Sequence, residues 1–231
     1  MSAPIKGILF DKDGTLFDFA RTWEAWAASF LARLARDDTH AAQMGAAIGY
    51  DTQRAAFEPE SVVIAGTPFE IAAELAPFLH PMGIDDILDL LNEEAAQAPQ
   101  AEAVPLIPFL EALRACGYKL GVATNDAEKP ARAHLNAAGV VPLFDFIAGF
   151  DSGFGGKPAP GQLQGFAAEM GLAAHECVMV GDSRHDLHAG RAAGFTTVGV
   201  LTGFATPEDL GDLADEILPD IGHLTEWLAQ R

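Results

Sequence analysis

Asp11 and Asp13 stand one residue apart at the end of an apolar run, in the stretch LFDKDGTL, with Gly14 and Thr15 directly after them. Where a strand turns into a loop, residues i and i+2 point to the same side. Both carboxylates can then face one ligand while the glycine lets the backbone turn and come close. Aspartate and glycine are also ordinary turn residues, so this stretch alone does not separate a site from a turn. Three further segments shift the weight. GVATND brings Thr124 and Asn125 to the end of a second apolar run, FDSGFGGKPAPG carries Lys157 between glycine and proline, and VGDSRHD delivers Asp182 and Asp186. Singly, each has a bland explanation, such as a surface lysine or acids favoured at a helix start by its dipole. Their shared position at strand ends, in this order, does not.

These residue types suit phosphoryl transfer. Converging carboxylates repel one another unless a cation sits among them, and a hard ion such as Mg2+ takes oxygen ligands from one or two carboxylates plus phosphate and water. A lysine and a hydroxyl can hold the other phosphate oxygens, and one aspartate can attack phosphorus to give an aspartyl phosphate. A nucleotide P-loop at Lys157 fails, because it needs glycine where Asp151 stands and Ser or Thr where Pro158 stands. Zinc at His185 and His188 fails too, since that stretch offers no third His or Cys.

Five apolar segments are expected to be the strands that position these groups: 5–10, 119–124, 144–149, 177–181 and 196–200. Four of them lead into stretches with helical periodicity, such as AEKPARAHLNAAG, that close on a glycine suited to a helix end. Strand and helix in alternation predict an α/β fold, a doubly wound parallel sheet with helices on both faces. Residues 18–99 break the rhythm. No convincing strand is legible there, and EAWAASFLARLAR sets Trp26, Phe30 and Leu34 on one helical stripe. The reading is a core of 1–17 and 100–231 with a helical module, 18–99, inserted after the first strand; Pro99, Pro105 and Pro108 mark its exit. The tail from Thr206 reads as a loop and an amphipathic helix around Leu224, Trp227 and Leu228.

The net charge of −19 disfavours a phosphate backbone or an anionic membrane surface as partner, so neither nucleic acid nor membrane is expected. It also repels small anions, and a phosphate site must therefore supply its own positive charge. The inserted stretch alone has fourteen acidic and four basic residues, the latter being Arg21, Arg33, Arg36 and Arg54. Cys116 and Cys177 have no metal-type spacing and read as reduced structural thiols. With no signal-peptide core in MSAPIKGILF and no apolar run of membrane length, a soluble, cytoplasmic protein is expected.

Taken together, DKDGTLFD, the Thr of ATND, the Lys of GKPAPG and GDSRHD resemble the four motifs of the haloacid dehalogenase superfamily, in its phosphatase branch. The resemblance covers essentially the whole chain, and the helical module resembles the family's cap. It implies a Rossmann-like core, Mg2+ as cofactor and a small phosphorylated metabolite as substrate, with phosphoglycolate phosphatases the nearest resemblance. Carried over, it implies Asp11 as nucleophile and metal ligand, and Asp13 as the acid and base, with its carbonyl on the metal. Thr124, Asn125 and Lys157 would bind phosphate; Asp182 would ligate the metal and Asp186 support it. Lys12 departs from the usual apolar residue; alternation turns it from the nucleophile or into the cap hinge, and no chemistry is assigned to it. A sugar-phosphate mutase shares these motifs. A 2-haloacid dehalogenase, which needs no metal and usually lacks Asp13, and a non-catalytic phosphate binder fit less well. A carboxylated leaving group would want a cation, and Arg54, between helices, is the expected substrate contact.

Overall fold

The computed structural model describes residues 4–230; elements are numbered in chain order. Six strands form the central sheet: β1 (Gly7–Phe10), β4 (Lys119–Ala123), β5 (Phe146–Ala148), β6 (Cys177–Gly181), β7 (Thr196–Val200) and β8 (Glu216–Leu218). All neighbours are parallel, in the order β5-β4-β1-β6-β7-β8. β1 lies at the centre, Gly7 level with Lys119 and Cys177, and Phe10 level with Val122 and Val180. The chain winds outward in both directions from β1, which makes the carboxyl ends of β1 and β6 the topological switch point where open α/β sheets bind ligands.

The strands read as unbroken apolar runs because both faces are buried. Ile8, Phe10, Val122, Val178 and Val180 pack on one side with Leu110, Leu135 and Trp227. These last come from α6 (Leu106–Ala115), α7 (Glu128–Ala137) and α11 (Leu224–Leu228). Leu9, Cys177 and Met179 face the other way, against Leu163 and Phe166 of α8 (Gly161–Met170) and Ala189 of α9 (Arg184–Ala193). The expected five strands are all present, somewhat shorter at 144–149. β8 adds a sixth that the sequence reading took for loop, because three residues are too few to show a period. The short α10 (Pro207–Leu210) precedes it.

Between β1 and α6 the chain forms α1 (Phe19–Leu34), α2 (Asp38–Ala47), α3 (Val62–Ala65), α4 (Pro68–Leu75) and α5 (Ile84–Ala95). These helices have an apolar cluster of their own, including Phe30, Met44, Leu75 and Ile87. α1 starts earlier than its apolar stripe suggests, at an N-cap where Asp18 accepts from Arg21 N at 2.9 Å. Its buried face is therefore Phe19, Trp23, Ala27, Phe30 and Leu31, with Trp26 and Leu34 only half-buried. A hairpin of β2 (Tyr50–Asp51) and β3 (Ala56–Phe57) also departs from the all-helical expectation. The two chain crossings into this layer run side by side, with Asp18 N donating to Ala101 O at 2.8 Å and Ala103 N to Leu16 O at 2.9 Å. No helix among the described residues is long and apolar enough to cross a membrane.

Candidate active site

Asp11 follows β1 and Asp182 follows β6, so the switch point sets their carboxylates side by side. Lys157 reaches them from the loop between β5 and α8, its Nζ donating to Asp11 Oδ1 at 2.5 Å and to Asp186 Oδ1 at 2.6 Å. One carboxylate oxygen from each of Asp11, Asp182 and Asp186 lies within 4.8 Å of the others, and all three residues are buried. Thr124, at the end of β4, lines the same cavity. Asn125 works through Lys157: its side chain donates to Lys157 O at 2.9 Å and accepts from Lys157 N at 2.7 Å, which fixes the lysine's loop. Asp186 has a second task as the third residue of α9, where its Oδ2 accepts from Ser183 N at 3.0 Å and Ser183 Oγ at 2.6 Å in a capping box.

Burial pushes the Asp11 carboxyl up to about 7; Lys157 opposes this, while Asp186 and Asp13 add to it. Burial, followed by the charges of Asp11 and Asp186, also raises Asp182 well above the usual carboxylate range. Burial works against the charge of Lys157, but Asp11 and Asp186 outweigh it and raise the lysine. Three carboxylates around one ammonium leave an excess of negative charge that a divalent cation would balance. The backbone is shaped for close approach there: a Cβ on Gly14 or on Gly203 would collide with the Asp182 carboxylate, and Gly14 has φ +80°. The donor set thus fits a hard cation held by oxygen.

Asp13 belongs to a second cluster beside the first. Lys12 is fully buried, and its Nζ lies 2.7 Å from Asp13 Oδ2, 3.4 Å from Asp126 Oδ2 and 3.0 Å from His134 Nδ1. Trp23 of α1 donates Nε1–H to Asp13 Oδ1 at 2.8 Å. His134 of α7 meets Ala95 O, at the end of α5, at 2.6 Å through Nε2. The core and the inserted helices therefore touch through groups that surround Asp13. Burial would raise the Asp13 carboxyl, but Lys12 and the Trp23 hydrogen bond hold it below the usual range. Burial raises Asp126 to about 6 despite Lys12. Burial, with Lys12 alongside, drives His134 down to about 4, so its ring is neutral at pH 7.

The structure thus gathers Asp11, Asp13, Thr124, Asn125, Lys157, Asp182 and Asp186 around one cavity. It leaves Arg54 outside. That arginine sits in the β2–β3 turn on the surface, paired with Asp51 at 2.7 Å and with Glu58. Sequence reasoning missed Trp23, Asp126 and His134, and left Lys12 without a task. The only available signal was a charged residue where an apolar one would be expected, between two aspartates.

The model of one family, described as haloacid dehalogenase-like hydrolase, matches residues 5–194. The chain belongs to this family. Among curated relatives of this hydrolase, the pyrophosphatase PpaX of Bacillus pumilus is 30% identical over 201 residues, 85% of this chain and 83% of its own length. A phosphoglycolate phosphatase of Nitrosospira multiformis is 28% identical over 227 residues, 97% of this chain and 96% of its own. The solved structure of a predicted phosphoglycolate phosphatase from Haemophilus somnus superimposes with a TM-score of 0.73 at 22% identity, covering 96% of this chain and 97% of that one. Within the hydrolase the cavity holds about 690 Å³ of atom-free space, part of it open to solvent. Its floor is the acidic strand ends and its roof is α1, α3, α4 and α5.

Proposed function

We propose that the chain is a Mg2+-dependent phosphomonoesterase that hydrolyses a small phosphorylated metabolite through a phosphorylated Asp11, with residues 18–99 acting as a cap. The observation that carries this reading is the single buried constellation in which Lys157 bridges Asp11 and Asp186 beside Asp182. Asp11, Asp182 and the backbone carbonyl of Asp13 would hold the cation, and Asp186 would support it. Bound there, Mg2+ supplies charge that lets a phosphate dianion approach Asp11 and offsets negative charge on the phosphoryl oxygens.

The chain's own residues do the rest. Asp11 attacks phosphorus, forming a carboxylate O–P bond as the bond to the leaving oxygen breaks. Lys157 and Thr124 hold phosphoryl oxygens in place, while Asn125 keeps Lys157 aimed. Asp13, which takes up a proton from solvent as the substrate binds, gives that proton to the leaving oxygen. It then takes one from the water that attacks the phosphorus and frees Asp11 and phosphate. Lys12 and Trp23 keep Asp13 ionised in the resting site, which is its form as base. An arriving phosphate dianion adds negative charge beside it and raises its affinity for the proton it must deliver.

Phosphate release from a panel of esters, with and without Mg2+, tests this reading, and the names of relatives make 2-phosphoglycolate the first ester to assay. Asp11→Asn is expected to lower kcat by at least roughly 1,000-fold, and chelation to abolish turnover. Undiminished release in either condition would refute it. Phosphate returned to the substrate as a bisphosphate intermediate would instead indicate the mutase.

A further inference from the structure

The floor of the cavity is charged, but its roof is apolar. Trp26 of α1, Val63 and Ile64 of α3, Pro68 and Ile71 of α4 and Leu91 of α5 line the same space as Asp11 and Lys157. Trp26 is a fixed wall, stacked on Phe30 with centroids 4.9 Å apart and edge-on to Trp23 at 5.2 Å. Its Nε1 is buried and has no hydrogen-bond partner among the described residues. Among the described residues, no lysine or arginine of the inserted helices lines the cavity. Arg54 is paired outside with Asp51 and Glu58, Arg33 is paired with Glu94 at 3.0 Å, and Arg21 borders a separate groove. Lys157, the cavity's one lysine among these residues, is already shared between Asp11 and Asp186.

A leaving group that carried a carboxylate would lose its hydration under this roof without meeting an unshared lysine or arginine, the one histidine on the lining among the described residues being His185 of α9, whereas an apolar body would gain burial and close contact. We propose that the enzyme's substrates are phosphate monoesters of uncharged alcohols with an aliphatic or aromatic body, which the roof selects over carboxylated esters. The inference rests on the phosphatase reading above, because it assigns the roof to the leaving group. It replaces an arginine contact with a hydrophobic wall as the source of specificity.

Isobutyl phosphate is an isostere of 2-phosphoglycolate whose leaving group is uncharged, with a branched pair of methyls in place of the carboxylate, and benzyl phosphate adds an aromatic body. With Mg2+ present, kcat/KM is expected to exceed that of 2-phosphoglycolate by at least roughly 10-fold for the first and roughly 100-fold for the second. Calorimetry on the Asp11→Asn protein with Mg2+ should give dissociation constants in the same order. This readout does not depend on turnover. Ile64→Arg, on a half-buried roof position, should reverse the preference. A 2-phosphoglycolate that is turned over and bound as well as or better than its isostere overturns the inference and leaves the phosphatase reading standing. No turnover of any ester, with the apolar esters still bound more tightly, overturns the phosphatase reading and supports the selectivity of the roof. An Ile64→Arg protein that folds and keeps the wild-type preference overturns the assignment of the roof to the leaving group.

Discussion

Replacing Lys12 with methionine keeps most of the apolar stem of the side chain but removes the charge at the centre of the second cluster. Lys12 is fully buried, and its ammonium is paired with Asp13 at 2.7 Å and Asp126 at 3.4 Å. After the change Asp13 still accepts from Trp23, but Asp126 Oδ2 has no other partner among the described residues. Breaking a buried ion pair by removing one partner costs about 3–5 kcal/mol, because the other charge stays behind without compensation. For a chain of this size about 1 kcal/mol moves Tm by roughly 2–4 °C, so Lys12→Met should melt roughly 6–20 °C below the wild type. The assay is thermal unfolding at pH 7.5 followed by circular dichroism. Asp126→Asn in the Lys12→Met background removes the abandoned charge and should recover at least about 1.5 kcal/mol of the loss, a coupling that two independent sites would not show. A Lys12→Met protein that melts within about 2 °C of wild type, or a double variant no more stable than the sum of the two single losses, would refute the reasoning.

His134 makes a pH-dependent contribution. Its folded pKa of about 4 lies below the ordinary 6.5, so its share of stability is complete above about pH 6.5 and is lost as pH falls toward 4. That share is about 3 kcal/mol. Asp11 and Asp126, with raised values, act in the opposite direction over the same range. The Tm gap between wild type and His134→Gln should therefore narrow from pH 7.5 to 4.5, and a constant gap would count against a buried neutral ring. Gly203→Ala would drive its new methyl into the Asp182 carboxylate; the Mg2+ concentration for half-activation should rise roughly 10–100-fold, and an unchanged value would remove Asp182 from the metal site. Arg54→Ala should leave kcat/KM within about twofold for carboxylated and neutral esters alike. A loss confined to carboxylated esters would return that arginine to the substrate.

The parallel sheet and the seven residues gathered at its carboxyl edge were legible in the amino-acid pattern. Unbroken apolar runs report strands buried on both faces, and the turn residues after them mark the edge where ligands bind. Those signals are local, carried by neighbours in the chain. The sequence also suggested Arg54, a cation between two helices, as a substrate contact; the fold pairs it with Asp51 and Glu58 in a surface turn outside the cavity. Only the fold could reveal that Lys12 meets Asp126 and His134, 114 and 122 residues away along the chain. The apolar roof was equally illegible. Trp26 and Leu91 occur in amphipathic helices whose periodicity says which face is inward, but not whether that face meets another helix or a substrate. That distinction depends on how α1 and α5 sit over the end of β1, a matter of packing between segments far apart in sequence.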